Sequence, residues 1–209
     1  MPESEVFARL SDPASSLLEQ AVHYGLSSLD VITPSAMREP TPCAGWDLAA
    51  LLRHLSESLS ALREGACAGR IEMVQPAGAR PTGPTEAEAL LADLRLAATS
   101  LVLEWQRIPM SDNHFAIGEL PLRIAVVEVV AAMEIAVHGW DIFESCHSPR
   151  PIPVRLALDL LRRSSMLVDD TVRPELFGAP IEISALAGPS DRLVAFLGRR
   201  PRRRHPFPT

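Results

Sequence analysis

Apolar residues recur every three or four positions along four long stretches of this chain, the period of one face of an α-helix. Leu17, Leu18, Ala21, Val22, Leu26 and Leu29 mark the first, over Ser15 to Ile32. The second starts at Asp47, a residue suited to capping a helix N-terminus, and carries Leu48, Leu51, Leu52, Leu55, Leu59 and Leu62 along one stripe. A third runs from Glu86 to Arg107 through Leu90, Leu91, Leu94, Ala97, Ala98, Leu101 and Trp105, and a fourth from near Leu122 to Cys146. Between them, Pro34, Pro40 and Pro42 make Thr33–Gly45 a loop, and the Pro and Gly residues of 76–84 make another.

Four long amphipathic segments joined by loops predict a mainly all-α fold, a four-helix bundle over residues 1–148. The remainder is shorter: a helix over Val154–Val172, a strand over Ile181–Ser184 and a last helix over Ser190–Leu197. It reads as a small C-terminal α/β cap over 149–201, packed on the same domain. Residues 202–209 read as a basic, disordered tail.

Composition narrows the chemistry. The chain has 209 residues, 47% of them hydrophobic and 22% charged, an ordinary balance for a globular domain. Its 20 basic residues are all Arg, so mechanisms that need a lysine amine, such as Schiff-base formation or the lysine of a phosphate-binding loop, are excluded. The net charge is −6 although five Arg lie within 199–204, so the body of the chain is more acidic still, which argues against nucleic acid as a partner. Cys43, Cys67 and Cys146 are odd in number and show no metal-ligand spacing, as expected in a reducing cytoplasm. Met1–Leu10 has no apolar signal segment, and the longest apolar stretch, Ile124–Val137, is too short to span a membrane.

That stretch carries the strongest chemical signal. Its charged residues are Glu128 and Glu134 alone, and a helix apolar nearly all round is a buried one. A carboxylate there must be paired, hydrogen-bonded, protonated or bound to a metal. His138 follows Glu134 by four residues, so the two side chains project from one face, and Asp141 adds a third polar group three residues on. The best third ligand from a facing helix is His54, at the edge of the second helix's apolar stripe. One Glu and two His would leave a coordination position open, as catalytic zinc sites do. On spacing alone the plainer alternative, a satisfied core histidine beside a helix-surface Glu–His hydrogen bond, is the commoner one.

Two motifs shift that balance. Thr41-Pro42-Cys43-Ala44-Gly45-Trp46 followed by Leu51-Leu52-Arg53-His54-Leu55, and Glu134-x-x-x-His138-Gly139-Trp140-Asp141, resemble those of the DinB/YfiT-like metal-binding superfamily. More narrowly, they are similar to the N-terminal domain of mycothiol-dependent maleylpyruvate isomerases and their short actinobacterial relatives. A third stretch, Phe177-Gly178 through Asp191-Arg192-Leu193 to Pro201, is similar to the C-terminal end of short members.

The resemblance implies a DinB-like four-helix bundle holding one divalent metal through His54, Glu134 and His138, zinc first, with nickel, iron and manganese as alternatives. It further implies a low-molecular-weight thiol such as mycothiol as co-substrate. The enzyme would then transfer that thiol to, or isomerise, a small electrophilic substrate. A thiol-independent hydrolase, lyase or cyclase, or a non-catalytic metal-binding bundle, are the alternatives. By analogy a homodimer is expected. The isomerases carry a larger C-terminal domain, whereas only about sixty residues follow the motif helix here, which departs from the isomerase pattern.

Around such a site, Asp141 is expected as the hydrogen-bond partner of His138. Trp46 and Trp140 are expected as core residues that also wall the pocket. Cys43 reads as a small residue in a tight loop, His114 and His147 as surface residues, and Arg53 and Arg123 as candidates for a substrate carboxylate.

Overall fold

The first helix, α1 (Leu17–Leu29), opens on a reciprocal cap. Ser16 Oγ accepts from the Glu19 amide at 3.2 Å, and the Ser16 amide donates back to Glu19 Oε2 at 2.9 Å, so two amides without helical partners are satisfied at once. The structure, a computed structural model, describes residues 16–71, 84–108, 114–168, 173 and 177–201. It divides into two compact units, Met1–Arg150 and Pro151–Thr209.

In the first unit, α1 is followed by a short 3-10 helix over Pro34–Arg38 and then by α2 (Leu48–Ala68). Asp47 caps α2 as its sequence position suggests, its carboxylate accepting from the Ala50 amide at 2.9 Å. Next come α3 (Pro84–Trp105) and α4 (Ile124–Ser145). The helix α1 packs along α4 and α2 along α3, while α1–α3 and α2–α4 contacts close the bundle. The expected stripes are its core: Leu18, Leu48, Leu51, Leu52, Leu94 and Leu101 are fully buried. The mainly helical class and the bundle are therefore as the periodicity predicts.

Buried on nearly all sides, α4 solves its carboxylate problem locally. Glu128 accepts from the Leu18 amide in the first turn of α1 at 3.4 Å, placing a negative charge at a helix N-terminus. Farther along, α4 and α1 approach to backbone contact. A Cβ at Gly139 would stand 3.2 Å from Gly25 Cα and 3.3 Å from the Tyr24 ring, and one at Gly25 would stand 2.8 Å from Ile135 Cγ2. Gly139 thus lets α1 and α4 pack closely, with little room for a larger residue.

The periodicity missed a small sheet. Strand β1 (Arg70–Ile71) pairs in parallel with β2 (His114–Ile117), which pairs antiparallel with β3 (Leu120–Arg123) through a two-residue turn. The fourth helix accordingly begins at Ile124 rather than near Leu122. Phe115, 2% exposed, docks the hairpin on α2, where a Cβ at Gly65 would collide with its ring at 2.2 Å.

The second unit contains α5 (Val154–Leu167) and α6 (Pro189–Phe196), packed on each other. Helix α5 ends at Leu167, short of the expected Val172; residues 169–172 lie outside the described part. The strand expected over Ile181–Ser184 does not form: the segment has no strand partner, and the Ile181 amide donates instead to the Ala195 carbonyl at 2.9 Å. Among the described residues the β content of the fold lies in the first unit. The expected loop residues 76–83 and the tail 202–209 are outside the described residues, and Pro84 already belongs to α3. Among the described residues no helix is long and apolar enough to cross a membrane.

Candidate metal centre

Two helices present pairs of polar residues to each other. Helix α4 contributes Glu134 and His138, helix α2 His54 and Ser58, and each pair is four residues apart and hence on one face. His54 Nε2 lies 2.6 Å from Glu134 Oε1, Ser58 Oγ 3.1 Å and His138 Nε2 3.4 Å from the same oxygen. The ligand-type atoms of His54, Glu134 and His138 all lie within 4.8 Å of one another. These three candidates, taken from distant parts of the sequence, therefore converge. Ser58 escaped sequence reasoning because a serine on a helix face is unremarkable; its one signal is its four-residue spacing from His54.

The two histidines differ in their support. His138 is 5% exposed, and its Nδ1–H donates to Asp141 Oδ2 at 3.0 Å. Asp141 is fully buried, so it fixes both the ring orientation and the tautomer that points Nε2 at Glu134. The His54 side chain is 37% exposed and is held by its hydrogen bond to Glu134.

Charge follows geometry. Burial by itself would push the Glu134 carboxyl up, but the adjacent His138 charge and the hydrogen bonds from His138 and His54 hold it well below the usual carboxylate range. Burial would likewise lower His138, yet the Glu134 charge, the hydrogen bond to Asp141 and that to Glu134 push it up to about 9. The metal-free site thus holds the His138 imidazolium between the Glu134 and Asp141 carboxylates.

Trp46 walls this site. Its ring meets His54 edge-on at 4.7 Å and stacks against His138 at 6.2 Å. The loop before it explains its placement: Thr41 Oγ1 donates to the Cys43 and Trp46 carbonyls, the Thr41 amide donates to the Trp46 carbonyl, and Pro40 bridges Asp47. Gly45, at φ 82°, supplies the left-handed turn that closes the loop. Cys43 lies half-buried within it, its carbonyl taken by Thr41 and by the Trp46 amide.

Among the other candidates, Trp140 and Arg123 are not brought to the site. Trp140 is 2% exposed and, two residues beyond His138, is turned about 200° from it around α4, into the core. Arg123 stands at the N-cap position of α4 without a side-chain cap, eleven residues or about 16 Å along the helix from Glu134. Arg53 adjoins His54 in sequence and is half-buried. His147 is exposed, 3.8 Å from Glu39, and the side chain of His114 lies outside the described part. The Cys146 thiol is pushed up by burial and by Glu39, away from thiolate chemistry.

The donor set fits a divalent metal. Two imidazole nitrogens and one carboxylate oxygen from facing helices, with the buried histidine tied by its other nitrogen to a carboxylate, make the arrangement that suits such an ion.

Among solved structures, the chain is similar to a point mutant of the mycothiol-dependent maleylpyruvate isomerase, at 15% identity and a TM-score of 0.49, over 77% of this chain and 68% of that one. No curated protein matches it. The family model for the mycothiol maleylpyruvate isomerase N-terminal domain matches residues 18–143, a span that runs from α1 almost to the end of α4 and includes His54, Glu134 and His138. The chain belongs to that family.

Proposed function

We propose that this protein is a metal-dependent enzyme that uses a low-molecular-weight thiol of the mycothiol type to transfer to, or isomerise, a small electrophile. The observation that carries this reading is the convergence of His54, Glu134 and His138 within 4.8 Å, with His138 held by buried Asp141. Family membership supplies the thiol. A divalent metal in this site would be held by those three residues and would supply Lewis acidity, favouring the thiolate form of a bound thiol at neutral pH. The protein's own contribution is to orient His138 through Asp141, to counter positive charge with Glu134, and to cover one side of the site with Trp46.

Calorimetry with mycothiol, on zinc-loaded and on zinc-stripped protein, tests the proposal. Binding to the loaded form alone is the expected result. Zinc uptake without thiol affinity would favour thiol-independent chemistry, and no zinc uptake would defeat the metal reading altogether.

A pH dependence follows. With His138 raised to about 9 in the metal-free site, a metal must displace its proton at any lower pH. Zinc affinity is therefore expected to rise with pH and level off near 9. Below that point this one group contributes a loss of up to about tenfold per pH unit. Chelator competition between pH 6 and 8 measures the slope, and a flat profile would contradict the assigned protonation.

A further inference from the structure

We propose that Ser58 is the positioning residue that fixes the ligand oxygen of Glu134, an inference that rests on the metal reading above. Three donors meet at Glu134 Oε1: His54 Nε2, Ser58 Oγ and His138 Nε2, at 2.6, 3.1 and 3.4 Å. They are not equivalent once a cation enters. An imidazole nitrogen that binds a metal offers a lone pair to it and no longer donates a proton to a carboxylate. Both histidine contacts to Oε1 therefore end on metal uptake. The Ser58 hydroxyl keeps its proton and remains the donor to Glu134 among the described residues.

This asymmetry decides how the carboxylate stands. Oε2 has no hydrogen-bond partner among the described residues, so Ser58 alone distinguishes the two oxygens once the histidines no longer donate to Oε1. By occupying one lone-pair direction of Oε1, Ser58 keeps the carboxylate from swinging. It comes from the same face of α2 as His54, one turn on, so one rigid helix carries both a ligand and the group that aims a second ligand.

Cobalt(II) titration of the full chain provides the test, with affinity from chelator competition and coordination number from visible absorption. Ser58→Ala is expected to bind cobalt about 10–100-fold more weakly. Its absorption per cobalt should also fall, because a carboxylate free to turn offers both oxygens and raises the coordination number. Ser58→Thr, which keeps the hydroxyl, should restore both. Wild-type affinity in Ser58→Ala, a loss with an unchanged spectrum, or a loss that threonine does not repair would each overturn the proposal. A wild-type chain that takes up no cobalt would instead overturn the metal reading beneath it.

Discussion

Replacing His138 by alanine is expected to strip the protein of its metal under conditions where the wild type retains about one equivalent. The substitution removes a ligand, and it also leaves the fully buried Asp141 carboxylate without the imidazole it accepts from. Metal affinity should therefore fall by more than the roughly 10–100-fold that an outer hydrogen-bond partner is worth. Glu134→Gln serves as the companion variant. It keeps the shape of the side chain, loses the charge that balances His138, and lies where the side chain is 29% exposed, so it perturbs the core less. Metal analysis of the three purified proteins beside their circular dichroism gives the result. Two folded variants that retain the wild-type metal content would remove His138 and Glu134 from the ligand set.

The second large effect concerns stability. Phe143 is fully buried in the C-terminal half of α4, with its ring centroid 5.5 Å from that of Tyr24 and the Arg150 guanidinium carbon 4.9 Å from its own. Tyr24 is in turn anchored by its hydroxyl, which donates to the Arg150 carbonyl at 2.7 Å. Phe143→Ala deletes the ring from a contact between α1 and α4 that backbone-to-backbone packing prevents from collapsing into the space. It is expected to cost about 3–5 kcal/mol, read from the midpoint of urea unfolding at constant slope. A loss below about 1 kcal/mol would mean that this end of the bundle repacks freely.

What the sequence made legible followed from period and from charge out of place. The leucine stripe of α2 and the almost uncharged run of α4 specify buried helices whatever surrounds them. Glu134 and His138 stood out because ionisable groups on such a helix require a partner. His54 was legible for a related reason, as a polar residue at the margin of an apolar stripe. The hairpin was not. Its strands are four residues long, Pro121 interrupts the second, and β3 runs directly into α4. A short edge strand tolerates that proline, since one side of it needs no donor. The strand expected at Ile181–Ser184 failed for the converse reason: an apolar run becomes a strand only where another offers its backbone, and here the carbonyl of Ala195 in α6 takes the amide. The role of Ser58 was invisible because it depends on a residue 76 positions away.

The contact of Gly25 with Gly139 divides the candidate site into halves with different freedom to change. On the α4 side, a side chain added at Gly139, next to His138, would require Gly25 and Tyr24 to give by a few tenths of an ångström, so this flank of the Glu134–His138 pair is tightly packed. On the α2 side, His54, Ser58 and Trp46 are half-buried rather than buried. A programme of directed variation that seeks new reactions from this scaffold has its room on α2 and the loop before it, and should leave α4 alone.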